Sequence, residues 1–308
     1  MGSITDVVKE GLKYPLNDWK KVLTLGVIFL VSSLVSFAME YLVFDNIRII
    51  SDNAPFDTVQ AALSSLPPNS IALIALSGII SLILMIFCSG YIYDVIKYAI
   101  EGKSELPGFA DIKGLFVKGI RSFLVGIAYS ILPAILFLLG LMLTVNEAVS
   151  GDVNMIGVVI LLIAIVFAIF MSLVQIMALC NMIDKDEFAA AFRFNEIFAL
   201  IKNLGWGRFI GILLFTVVAA MIISIFCGLI FGAIATVISI IFGSALVLSL
   251  VNMALDSLLL NPYMSIAISR VYGSIFNEAN DAEFPAVRLL CRSRLAVHLV
   301  PFAEETAA

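Results

Sequence analysis

Charge is scarce in this chain and histidine nearly absent. Only 13% of its 308 residues are Asp, Glu, Lys or Arg, whereas 62% are hydrophobic; soluble domains carry about a quarter charged residues. Mean hydropathy is +1.10, so lipid must cover much of the surface. The single histidine, His298, argues against histidine-dependent acid–base catalysis and against histidine metal centres. Cysteine is equally uninformative as chemistry. Cys88, Cys180 and Cys227 lie in or beside apolar runs and Cys291 near the end, without CxxC or Cys/His spacing. No zinc site or disulfide framework is expected, and the cysteines read as small apolar residues. HExxH, GxSxG, Walker A and dinucleotide fingerprints are missing, so no catalytic residue, metal or cofactor is expected. A carboxylate-only reaction at membrane depth stays open. The net charge of -5 and the lack of a basic patch exclude a nucleic-acid footprint.

Cations are also missing from one side. Apolar runs long enough to cross a bilayer, roughly 20 residues each, begin near Val22, Ile71, Gly119, Asn154, Phe209 and Thr236. Of the 18 Lys and Arg residues, all but Arg48 fall before the first run, between the second and third, between the fourth and fifth, or after the sixth. Cytoplasmic loops retain Lys and Arg, so the expected protein is an all-α polytopic bundle of six transmembrane helices in the cell membrane, with both termini inside. Residues 1–21 hold four lysines and no small-residue cleavage site, so the first run reads as a retained anchor.

One scheme recurs three times: a short segment of mixed polarity, then two spans joined on the outer side. Ile4, Val7, Val8 and Leu12 follow helical spacing, with Pro15 stopping that helix before Asn17 caps the next. Phe109, Ile112, Phe116, Ile120 and Phe123 make a second stripe, and Phe194, Phe198 and Ile201 a third. These three segments are expected as amphipathic helices on the cytoplasmic surface. The outer connections, including an acidic one over 45–70 and an uncharged one near Ile230 to Ala235, are too short to build a ligand-binding domain. Residues 1–276 form the membrane domain. Residues 277–308 form a polar tail, either disordered or appended, whose Arg288, Arg292 and Arg294 would favour anionic lipid.

Polar residues inside spans cost on the order of 3 kcal/mol or more, which singles out Asp256. Asn252 lies one turn before it, Asn261-Pro262 marks a loosening, and Gln175 is a candidate partner from the fourth span. Their alternative role is to glue helices together. Glu40 and Asp94 are weaker candidates near span ends, Asp94 being expected to pair with Lys97. Pro133, Pro107 and Gly108 are candidate hinges. Gly207 with Gly211 and Gly228 with Gly232 form GxxxG pairs suited to internal packing or to joining two copies. Phe109 and Phe116 are candidate lipid-surface residues.

The stretch from Gly90 to Leu136 combines Tyr91 to Lys97, Gly102, Leu106-Pro107-Gly108-Phe109, Leu115-Phe116-Val117-Lys118-Gly119 and Tyr129 with Pro133. It resembles the signature of DUF4013, an archaeal family of multi-pass membrane proteins of unknown function, with Gly108 where that pattern usually has Glu. The resemblance extends over residues 1–276. The layout is similar, more loosely, to the membrane domain of bacterial glycerophosphodiester phosphodiesterases, but no phosphodiesterase domain is present. The role expected is a non-catalytic membrane organiser or lipid-associated accessory protein, with membrane lipids, another protein or a second copy as partner. The rival is a small-solute or ion transporter using Asp256, and a lipid-acting enzyme comes third.

Overall fold

The computed structural model describes residues 3–39, 68–148 and 154–283, and every regular element among them is helical. Glu40, the connection with Arg48, and the tail with Arg288, Arg292, Arg294 and His298 lie outside the described residues. The helices are α1 (Ile4–Lys13), α2 (Trp19–Met39), α3 (Pro68–Ile100), α4 (Ile112–Ala148), α5 (Met155–Lys185), α6 (Phe194–Leu204), α7 (Trp206–Phe242), α8 (Ala245–Leu255) and α9 (Asn261–Glu283). A π-helical turn, Asp256–Leu260, makes α8 and α9 continuous. Counting α8 to α9 as one span, six helical stretches are long and apolar enough to cross a membrane.

Local chemistry sets the boundaries. The Asp6 carboxylate accepts from the Ser3 N–H, opening α1. Pro15 sits in a 3-10 turn, Tyr14–Asn17, but Asn17 does not cap α2. The Asp18 carboxylate does, accepting from the Lys20 and Lys21 N–H groups. At the end of α3, Gly102 adopts φ 71°. Its N–H reaches the Ala99 carbonyl at 3.1 Å and the Lys103 N–H reaches that of Tyr98 at 2.9 Å, a Schellman closure that wants glycine.

Three sequence expectations change here. The second amphipathic stripe is no separate helix: Asp111 caps α4 through the Gly114 N–H, and α4 runs unbroken through Gly119 to Ala148. Phe109 precedes it in irregular chain. The fifth span does not end near Ile230; it continues to Phe242, where Gly243 at φ 63° turns the chain, and the sixth begins at Ala245 instead of Thr236. The apolar run contains no proline or charge before Gly243-Ser244, and Gly228 and Gly232 stay helical, so hydropathy alone could not locate the turn. In α6 the buried stripe is Ile197, Leu200, Ile201 and Leu204, with Phe194 and Phe198 left partly exposed.

Glycines set how closely the helices approach. A Cβ on Gly90 would lie 1.8 Å from the Leu115 carbonyl oxygen, and one on Gly119 would lie 1.9 Å from that of Ile86. Gly119 is therefore where α3 and α4 cross. Gly26 meets the Leu258 carbonyl at 2.4 Å and Gly273 meets the Ala99 Cβ at 2.3 Å by the same measure. Gly207, Gly228 and Gly232 meet nothing within 4 Å, and Gly211 only Ile4 at 3.4 Å, so their GxxxG spacing does not pack this bundle internally. In lipid, helix association relies on such contact because tails are as apolar as leucine. Gly90→Ala or Gly119→Ala is expected to cost about 1–3 kcal/mol or more, while Gly228→Ala should stay within about 0.5 kcal/mol. Thermal unfolding in detergent measures all three.

Candidate functional site

The polar residues of the described chain gather at the end where α2, α4 and α7 begin and α3, α5 and α9 finish. At its centre is Arg270 of α9, with its side chain only 7% exposed. One terminal nitrogen donates to the Lys103 carbonyl at 2.6 Å and the Tyr98 carbonyl at 3.3 Å. The other donates to the Glu10 carboxylate at 3.0 Å. The guanidinium also covers the Tyr14 ring at 4.5 Å, a cation–π contact strengthened by desolvation. One buried cation thus joins α1, the turn before α2, the end of α3 and α9.

Next to it, five consecutive carbonyls of the α3–α4 connection each receive a side-chain donor. Arg270 takes Lys103. The Asn17 amide donates to Ser104 at 3.1 Å, the Tyr14 hydroxyl to Glu105 at 2.5 Å, the Lys21 ammonium to Leu106 at 2.7 Å and the Tyr91 hydroxyl to Pro107 at 3.4 Å. Leu106 is buried, and Phe109 stacks on Tyr91 with centroids 4.3 Å apart and planes within 3°. An irregular segment carries unmet backbone acceptors, and here side chains meet them. The segment from Lys103 to Pro107 is therefore a strap fastened from the Tyr14–Asn17 turn, α2, α3 and α9; Pro107 lies within it, Gly108 follows it exposed, and Phe109 is a packing ring, not a lipid-facing one. Phe116 is half-buried on α4.

Ion pairs surround this core. The Glu278 carboxylate receives two nitrogens of Arg208 at 2.9–3.0 Å, in a bidentate geometry. Asp94 pairs with Lys118 at 2.8 Å, across α3 and α4, and not with Lys97 on its own helix. Arg121 meets Asp186 at 2.9 Å. Lys185 holds Glu196, and that contact keeps the Glu196 carboxyl below its usual range. The Asn277 amide bonds the Ala99 carbonyl at 3.0 Å, so packing continues past residue 276.

The membrane-depth candidates do not converge. Asp256 and Asn252 share one region of the sixth span, but the Asp256–Leu260 turn packs on α2, whereas Gln175 lies on α5 beside Gly126 of α4. The loosening expected at Asn261-Pro262 is real. Pro262 has no N–H for the Leu258 carbonyl, the helix widens into the π turn, and Gly26 allows α2 to come against the freed carbonyl. Ser257 joins Ser33 at 2.8 Å. Pro133 is buried within the unbroken α4. Sequence reading missed Arg270, Tyr14, Asn17, Lys21 and Tyr91 as a group.

Arg270→Ala leaves the Lys103 and Tyr98 carbonyls without their donor while Glu10, 60% exposed, returns to water, and should destabilise by about 1–3 kcal/mol, read as a drop in the detergent unfolding midpoint. Burial pushes the Tyr14 hydroxyl up to about 12, with Arg270 opposing. A raised native value preserves stability below the unfolded value of about 10 and loses it as pH climbs through about 12. Tyr14→Phe should flatten the part of the alkaline decline between those limits, in unfolding curves taken from pH 8 to 12.

No curated protein and no solved structure matches the chain. A family described as proteins of unknown function, DUF4013, matches residues 73–232, which takes in nearly all of α3, the strap with its side-chain-bound carbonyls, α4 to α6 and most of α7. That match spans more than half of the chain, and this multi-pass membrane protein belongs to the DUF4013 family.

Proposed function

We propose that the protein is a non-catalytic, lipid-associated membrane organiser made of three two-span units, with both termini and the strap on the cytoplasmic side of the cell membrane. The observation that carries this reading is the use made of polar groups. Donors at the basic end are spent on fastening one backbone segment and on cross-helix ion pairs, which gives a rigid face and not a row of groups along a path. The orientation rests on the distribution of Lys and Arg. Aromatic residues favour a headgroup position for that same end: Trp19 and Trp206 open α2 and α7.

The rival is a carrier centred on Asp256. One observation favours it: the aspartate sits at a π turn in a span, and such turns recur at functional sites. Against it stands the separation of Gln175 from that turn.

Two measurements decide. Gentle extraction followed by native mass spectrometry should bring phospholipid out with the protein, and a bare monomer would sink the organiser reading. In proteoliposomes carrying a pH-sensitive dye, proton flux should equal that of empty vesicles, with Asp256→Asn identical. A flux present in the wild type and lost in that variant would give the function to the carrier.

A further inference from the structure

A cavity of about 620 Å³ runs along α3 between α2 and α4. Its floor is the α3 stripe from Leu84 to Tyr93, and Phe29 and Ile127 stand on its flanks. The lining is mainly apolar, yet two hydroxyls in it are anomalous. The Tyr93 and Ser122 oxygens are buried and have no hydrogen-bond partner among the described residues, although Tyr93 is only 1% exposed. Arg121 stands near enough to the Tyr93 hydroxyl to act on it as a donor, short of the geometry of a closed hydrogen bond. Leaving a buried hydroxyl unmet costs about 1–3 kcal/mol, and two in one cavity point to an acceptor brought by a ligand.

Position identifies the ligand. From Leu84 to Tyr93 the floor is about 13 Å long at 1.5 Å per residue, close to half of the roughly 30 Å hydrocarbon core, or one leaflet. The hydroxyl end points to the basic side. There Arg121, next to Ser122 in sequence and beside the Tyr93 hydroxyl, pairs with Asp186 through an exposed contact, their side chains being 39% and 68% exposed. Such pairs hold weakly, so the guanidinium has donors to offer a phosphate. We infer that this groove holds one chain of an anionic phospholipid from the leaflet at the basic end, its glycerol and phosphate oxygens accepting hydrogen bonds from Tyr93 and Ser122. The inference rests on the lipid-associated reading above and assigns it a site and a ligand class.

The test titrates the purified full chain, in detergent, with phosphatidylglycerol, phosphatidylcholine or glycerol phosphate, reading the unfolding midpoint and the lipid adduct in native mass spectra. Phosphatidylglycerol should raise the midpoint and give one persistent adduct; phosphatidylcholine should do so more weakly and glycerol phosphate not at all. Tyr93→Phe and Ser122→Ala should each weaken phosphatidylglycerol binding about five- to tenfold, the loss of one hydrogen bond. Ser89→Leu, which fills the groove floor, should abolish the adduct. In lipid-free detergent Tyr93→Phe should unfold no earlier than the wild type, because no hydrogen bond of closed geometry ties its hydroxyl to the protein. Equal binding by wild type and variants, or protection by glycerol phosphate alone, overturns this site while the organiser reading stands. Earlier unfolding of Tyr93→Phe without lipid overturns it too, by showing the hydroxyl bonded within the protein. Absence of bound lipid from every form removes the site and the organiser reading together.

Discussion

A guanidinium taken out of water must find acceptors on several sides, and the basic end of this bundle is arranged around that demand at Arg270. The desolvation of a buried cation is costly unless geometry and hydrogen bonding compensate. Here compensation comes from Glu10, from the carbonyls of Tyr98 and Lys103 and from the Tyr14 ring. Those groups belong to parts of the chain that are remote in sequence. Satisfying one charge therefore fixes where the N-terminal helix lies, how α3 ends and how deep α9 sits. The strap follows, since Tyr14, positioned under Arg270, is itself one of its donors.

Burial is correspondingly one-sided. The two clusters of buried apolar side chains, one through Tyr93, Met177, Ile197 and Phe276 and the other through Tyr14, Leu25, Tyr91 and Leu115, belong to the same half of the spans as the ion pairs. Further along, α7 presents Ile222, Phe226 and Leu229 outward, as lipid permits. In that half, close approaches such as Gly140 to Leu161 and Gly157 to Thr144 hold α4 against α5. The molecule is a joined base from which helical hairpins extend, not a uniformly packed barrel of helices.

Much of the fold was legible because it depends on local signals. Six spans follow from apolar runs, the start of α5 from Asn154, which accepts from the N–H groups of Ile156 and Gly157, and the loosening in the last span from Pro262. What escaped depends on meeting partners far along the chain. Nothing near Gly90 or Gly119 announces that each faces a backbone carbonyl of the other's helix, whereas Gly228 and Gly232 carry the familiar spacing and meet no neighbour. Asn17 offered the chemistry of a cap, but Asp18, one residue on, performs it and Asn17 is taken by Ser104. Asp94 had a lysine three residues away and uses one on the next helix. At the candidate sites, sequence could mark costly residues such as Asp256, but it could not see that ordinary serines and tyrosines would be left without partners inside a groove.

The bond between Glu10 and Arg270 closes over 260 residues, and this imposes an order on biogenesis. During synthesis α1 emerges 260 residues ahead of its charged partner. Its apolar stripe of Val7 and Val8, buried in the finished bundle, must wait elsewhere while the spans insert, and an amphipathic helix has a natural waiting place at the bilayer surface. Docking of α1 through Glu10 thus waits on Arg270, and a chain arrested before Arg270 is translated lacks the residue that would hold α1 in place.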